Sequence, residues 1–416
     1  MKPSAKTWII PLIALILIIL PLLSACGNDG GSSSPEPTTS EPPRKVKITI
    51  GNHTDLTGVS AVPMQEVNMG VTDIVRYYNE NDLIPGVEVE LVEYDGQSDP
   101  SKDKPGYEWL KAKGADVIMV WIPSLGITLR APADADRFPV FAANARKETL
   151  YPPGYLFSTS PLMDDEGWNL VKWIVANDWD WQTKGPAKIG GAAWDSNGLD
   201  PGFEKIKMHA ESNPDQVEWV GSYIIPQGAF QWEVAVDALR DCDYVIPDNF
   251  WSFVRSYREG GGKAKLLGTD THSSFAQIDD MRLWPKIDGM LIIWQSEWWT
   301  DEGELPDLVN RLMNEYHSAA TAESAKRGKG YFAMSNAMTV LEIIKGAAEA
   351  VGPENVTPQA IYEAAQSFTL TLDGIQRLSF GPAKRTSPDR MAIYRVDAAT
   401  KAPVRLTEWF PLESAP

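Results

Sequence analysis

The chain has 416 residues, 43% of them apolar, and a formal net charge of −18. Acidity on this scale argues against nucleic acid or an anionic bilayer surface as partner, since basic patches grip both. It reads as a solvated surface. Past residue 25 about 390 residues remain, more than one core usually serves, so two lobes are expected.

The chain opens with Lys2 and Lys6, then an apolar run Ile9–Leu23 broken only by Pro11 and Pro21. The run is shorter than the ~20 residues a spanning helix needs, and small residues Ser24 and Ala25 follow it, so residues 1–25 read as a removed signal peptide. Leu22-Leu23-Ser24-Ala25-Cys26 resembles the lipobox of bacterial lipoproteins. That likeness implies lipidation at Cys26 and an extracytoplasmic protein anchored by acyl chains to the cell membrane, at the periplasm or the cell surface. A plain secretory leader or an anchor helix with an incidental cysteine is the competing reading. Residues 26–44 are rich in Gly, Ser, Thr and Pro and hold no large apolar side chain, which describes a flexible tether.

Strand-like and helix-like segments then alternate. Val46–Gly51 and Val87–Tyr94 read as strands, and Gln65–Asn79 as a helix with Val67, Val71, Ile74, Val75 and Tyr78 on one face. Lys104–Lys113 is a short helix stopped at Gly114. Ala115–Trp121 is a continuous apolar run, as a parallel strand covered on both faces requires. Part of Thr128–Asp136 is helical and Pro139–Ala143 is a short strand. The pattern repeats after about residue 162, with strands near 187–193, 217–225, 244–246, 265–268 and 289–294 between helices. Later helices cover 305–319, 331–351 and 358–367, and Arg377–Phe380 with Met391–Val396 look like an antiparallel pair. Repeated βαβ units predict an α/β chain with parallel sheets in two lobes. Such lobes bind ligands at the carboxyl ends of their strands.

If Cys26 is lipidated, Cys242 stands alone before an apolar strand and reads as a buried structural thiol. The histidines His53, His209, His272 and His317 are scattered, with no H-x-x-x-H or H-E-x-x-H spacing, so no zinc-protease site is supported. No metal and no cofactor is predicted.

Several motifs, weak singly, fall in one family's order. Ile50-Gly51 with Asp55-Leu56-Thr57-Gly58, Tyr94-Asp95 with Ser98-Asp99-Pro100, Pro123-Ser124-Leu125-Gly126, Phe157-Ser158-Thr159-Ser160-Pro161 and Leu267-Gly268-Thr269-Asp270 resemble landmarks of the type I periplasmic-binding-protein fold. The group is that of the leucine/isoleucine/valine-binding receptors of ABC importers. The likeness covers roughly residues 45–400. It implies an N-lobe of 45–160 with about 296–370 and a C-lobe of 161–295 with about 371–416. Each lobe would be a mainly parallel sheet flanked by helices, with three hinge crossings. It further implies no covalent chemistry, an ABC permease as partner, and a small amphipathic ligand such as an amino acid, amide or hydrophobic carboxylate.

Matching the family's pocket places Ser124 as a hydroxyl contact, Ala143, Asn144 and Ala145 as a backbone loop, and Asp270 as the acid for a ligand ammonium. Ser124 and Asp270 have a competing reading as helix caps, and Asn144 as a turn residue. The tyrosines expected in three loops are absent: Leu199 and the segment Asp248-Asn249-Phe250-Trp251 stand at two of these places. Trp121, Trp194 and Trp251 lie at strand ends among sixteen tryptophans, and with Phe250 and Leu199 they are candidate ligand contacts by stacking or apolar packing. Trp298-Trp299 fit a cleft wall or a permease contact equally. Two other functions fit less well. One is a ligand sensor reporting to a membrane signalling protein. The other is a hydrolase built on Asp95, Asp195 and Asp270, against which stands the absence of a nucleophile elbow, Walker loop or His-rich set.

Overall fold

The computed structural model describes residues 45–195, 199–226, 228–247 and 250–416. Cys26 and the segments expected to be a signal peptide and a tether lie outside these residues, as do Asp248 and Asn249. Among the described residues no helix is long and apolar enough to cross a membrane.

Two main sheets organise the chain. The first comprises β1 (Val46–Thr54), β2 (Val87–Asp95), β3 (Val117–Val120), β4 (Val140–Ala142) and β5 (Leu156–Ser158), in the order β2-β1-β3-β4-β5 and parallel throughout. β3 is buried at every position, because helices cover both faces and a polar side chain would have no solvent to meet. The helix Ala61–Glu80 buries Val71, Ile74, Val75 and Tyr78 and packs on the later helix Met334–Val351. Gly70 permits this approach: a Cβ there would stand 2.4 Å from the Tyr331 carbonyl oxygen.

The second sheet holds β6 (Ala187–Trp194), β7 (Val217–Ile225), β8 (Tyr244–Pro247), β9 (Lys265–Gly268) and β10 (Leu291–Trp294) as its parallel part, in the order β10-β9-β8-β6-β7. Between β10 and the rest of the chain comes a small hairpin, β11 (Thr369–Leu372) and β12 (Ile375–Ser379). Then β13 (Arg390–Asp397) returns antiparallel to β10, and β14 (Ala402–Arg405) and β15 (Phe410–Pro411) pair with β13. The expected pairing of Arg377–Phe380 with Met391–Val396 is therefore corrected. Asp373 and Gly374, both with positive φ, make the tight turn that closes a local hairpin, so β12 pairs with β11 instead.

The chain passes between the two sheets three times: after β5, after β10, and between β12 and β13. The first and third passages run side by side. Ser158 N–H donates to the Arg385 carbonyl at 2.7 Å, and Ser387 N–H to the Ser158 carbonyl at 2.8 Å. The second joins through Gln295 Nε2, which donates to Ser160 Oγ at 3.1 Å.

Trp298 and Trp299 are buried. Trp298 stacks on Trp294 with centroids 5.8 Å apart, and Trp299 donates its indole N–H to the Gly328 carbonyl at 2.7 Å. Both are packing residues, which decides a question the sequence leaves open. Cys242 is buried as expected, and burial pushes its thiol up to about 12.

Candidate functional site

The carboxyl ends of the two sheets meet. Arg146 follows β4, and Asp200 opens the helix that follows β6; the guanidinium donates to both carboxylate oxygens at 3.3 Å. The interval between the lobes is therefore bounded by the loops beyond β1, β3 and β4 on one side and beyond β6, β7, β8 and β9 on the other.

On the first side, Ser124 is the second residue of the helix Pro123–Asp136 and half-buried. It is not a cap, since Ile122 occupies that place without a side-chain bond. Its hydroxyl and that of Thr128 draw the Asp103 carboxyl downward, but burial outweighs them and raises it. Ala143 is buried and Asn144 exposed, with Ala145 between these extremes. The loops beyond β3 and β4 touch: a Cβ on Gly126 would stand 3.3 Å from the Asn144 carbonyl oxygen. Ser124, Ala143, Asn144 and Ala145 thus share one corner. Trp121 differs. It is buried, and its indole N–H donates to Asn52 Oδ1 at 2.6 Å within its own lobe.

On the second side three rings form a row. Trp194 ends β6, Phe230 lies in the connection after β7, and Trp251 is the second residue of the helix after β8. Trp194 and Phe230 centroids are 5.7 Å apart, Phe230 and Trp251 5.6 Å. Trp194 Nε1 donates to the Ala229 carbonyl at 2.8 Å, which fixes the first ring against the Phe230 connection. Phe230 remains 47% exposed. Phe250 opens the same helix as Trp251, but its side chain lies outside the described parts. Leu199 is 2% exposed and packs in the core of its lobe.

Asp270, beyond β9, belongs to a polar cluster at the passages. Its carboxylate accepts from Gln295 Nε2 at 3.3 Å, and its backbone N–H donates to Glu166 Oε1 at 2.9 Å. The nearest helix starts at Ala276 with Phe275 in the cap place, so Asp270 is not a cap either. Burial raises the Asp270 and Glu166 carboxyls, while the Lys329 charge draws both back. Lys329, 7% exposed, donates to the Ser296 carbonyl at 3.0 Å and lies 4.0 Å from the Trp294 ring centroid; burial pushes it down to about 8. Beside it Glu297 and Arg377, both nearly inaccessible, form an ion pair at 2.6 Å. Arg377 also donates to the Gln295 carbonyl at 2.8 Å and stacks 3.3 Å over Trp409. Asp95 sits in a separate network with Leu56 and Thr57, beyond β1, so it does not join Asp270. Among the described residues no group of three His, Cys, Asp or Glu side chains is placed to hold a metal ion.

A family model described as "Periplasmic binding protein" matches residues 47–401. The chain belongs to the periplasmic binding protein family. Its fold is similar to that of several solved proteins over most of the chain. A branched-chain amino acid ABC transporter protein from Thermus thermophilus with bound valine shares 17% identity at a TM-score of 0.75, over 88% of this chain and 97% of that one. A fatty acid ABC transporter substrate-binding protein from Thermomonospora curvata shares 18% at 0.71, over 91% and 97%. An ABC transporter solute-binding protein from Rhodopseudomonas palustris BisB5 in complex with 3,4-dihydroxybenzoic acid shares 13% at 0.69, over 89% and 99%. No curated protein sequence matches the chain. The α/β two-lobed fold and the family resemblance read from the sequence are both borne out.

In this periplasmic binding protein, sequence reasoning overlooked Phe230, Arg146, Glu166 and Lys329. Phe230 had one signal, an aromatic residue in the short Gly-containing connection after β7. Glu166 resembled an ordinary first-turn acid of a helix. Lys329, between two glycines, resembled a solvated loop residue.

Proposed function

We propose that the protein is the extracytoplasmic solute receptor of an ABC importer, anchored by a lipid on Cys26. It binds a small amphipathic solute, of the amino acid, amide or hydrophobic carboxylate kind, between its lobes and delivers it unaltered to a membrane permease. The observation that carries this reading is the apposition of strand ends from two separate sheets, bridged by Arg146 and Asp200, in a periplasmic binding protein. The lobes are taken as 45–160 with 296–370, and 161–295 with 371–416, turning about the three passages. Ser124, Ala143, Asn144 and Ala145 supply polar contacts from one side; Trp194 and Trp251 supply apolar ones from the other, with Phe250 beside them. Asp270 stands at the hinge edge as an acceptor for a ligand N–H. Trp121 and Leu199, packed inside their lobes, act beneath the walls rather than on them.

A thermal-shift screen of the purified protein against amino acids, amides and aliphatic and aromatic acids tests the reading, because a ligand of the folded form raises the melting temperature by mass action. One class is expected to shift it and to be recovered chemically intact. Turnover of the bound compound, or no shift across the screen, rejects the proposal. A Cys26→Ser variant is expected to leave the membrane fraction; retention there rejects the lipid anchor.

A further inference from the structure

The corner at Arg146 and Lys147 is built to hold its shape. Lys147 opens the short helix Lys147–Leu150, whose Leu150 is buried in the core of the first lobe. The Thr149 hydroxyl donates to the Arg146 carbonyl at 2.7 Å, and Arg130 donates to the Thr149 carbonyl at 2.6 Å. Both cationic side chains of this corner reach out of their own lobe. Arg146 meets Asp200, and Lys147 Nζ donates to the Ala415 carbonyl at 3.2 Å.

The receiving surface is held as well. Beyond β15 the residues 412–415 run along the helix Met163–Asn177 without joining a sheet, so side chains must fasten them. Glu413 N–H donates to Asn169 Oδ1 at 3.1 Å, and the Glu413 carbonyl accepts from Asn169 Nδ2 at 2.7 Å. Ala415 N–H donates to Asp165 Oδ1 at 2.7 Å. Asp165, Asn169 and Ala415 are all buried. Burial pushes the Asp165 carboxyl up to about 6, against the Ala415 N–H and the charges of Lys147 and Lys205. An acid and an amide one helical turn apart are thus kept out of water, which is unfavourable unless their bonds are made. The bonds they make fix one backbone carbonyl, that of Ala415, where Lys147 arrives from the other lobe.

Resting on the receptor reading above, we infer that Lys147 and the segment Glu413–Ala415 form a latch for the shut arrangement of the lobes. Lys147 and Ala415 are positioning residues, which act on binding through the spread of the lobes and without touching solute. The latch engages only when the corner of the first lobe reaches the second. With Arg146–Asp200 it gives the mouth two neighbouring contacts. One is an exposed ion pair; the other is a charged donor on a carbonyl already fixed in place.

The test is dipolar electron-spin spectroscopy on labels at Glu148→Cys and Glu204→Cys, exposed positions on the two sides of this contact, in the purified solute-free Cys26→Ser protein. Cys242 is buried and stays unlabelled. Lys147→Met keeps the apolar stem and removes the donor. It is expected to lower the ratio of short to long label distances about twofold to fivefold, the range for one exposed charged contact. Lys147→Arg is expected to restore the ratio. Asn169→Ala, which frees Glu413, is expected to shift it in the same direction as Lys147→Met, and the double variant no further than the larger single one. Melting temperatures check that each variant is folded. An unchanged ratio in Lys147→Met overturns the inference, as does an Arg variant that behaves like Met or a double variant whose effects add. These outcomes leave the receptor reading intact; that reading stands or falls on the thermal-shift screen.

Discussion

Two arginine–carboxylate pairs join parts of this molecule that are distant in sequence, and they differ in almost every physical respect. Arg377–Glu297 lies at the passages, closed off from water, with contacts of 2.6 Å to the carboxylate and 2.8 Å to the Gln295 carbonyl. Arg146–Asp200 bridges the two sheets' strand ends at 3.3 Å, with side chains 37% and 49% exposed. The chemistry is the same and the surroundings are not. Removing one partner inside strands a charge without solvent, whereas removing one at the mouth leaves a charge that water accepts. The inner pair is a fixed part of the hinge. The outer pair is a contact that is cheap to open.

The largest expected effect is on the inner pair. Arg377→Met should destabilise the fold by about 3–5 kcal/mol, measured by denaturant unfolding. Restoring the balance with Glu297→Leu in the same protein should recover much of it. A loss under about 1 kcal/mol would place this pair in the same class as the outer one.

The next effect concerns Glu66, on the first helix beside Gly328 and Gly330. Burial raises its carboxyl from 4.5 to about 7, against the pull of Arg327. The folded state therefore holds the proton more tightly than the unfolded chain. The fold prefers the neutral acid, so the contribution of Glu66 to stability is full below pH 4.5 and is lost as pH rises through about 7. After allowance for its partial exposure the change is about 1–2 kcal/mol. Glu66→Gln should flatten the stability profile over that window, read by thermal melts at a series of pH values. An unchanged slope would mean that water reaches Glu66 as freely as it reaches Arg146.

The smallest effect belongs to the mouth. Arg146→Ala should cost less than about 1 kcal/mol of stability, and added salt should shrink the difference further. A loss approaching that of Arg377→Met would erase the contrast between the two sites.

The alternation of strands and helices was readable because parallel strands covered on both faces, such as Val117–Val120, leave an unbroken apolar run. The β11–β12 hairpin was not read, since its four-residue first strand lacks such a run and its partner was sought farther along the chain. Trp194 and Trp251 stood out because they sit next to recognisable strands. Phe230 did not, because the 226–232 connection has no period to place it. The hinge cluster was opaque for another reason. Glu166 and Asp270 are 104 residues apart, and a contact of that separation leaves no local trace. Ser124 and Asp270 looked equally suited to capping, and only the observed helix starts removed that alternative.

The three passages are laced together: Ser158 is bonded on both sides to the Arg385–Ser387 segment, and Gln295 reaches Ser160. A joint made of three independent cords would let the halves twist, slide and rock. Lashing the cords to one another leaves a single soft direction, so gape and shut become one coordinate. A solute that touches both walls then biases the whole jaw toward the shut arrangement, because only there does it make both sets of contacts.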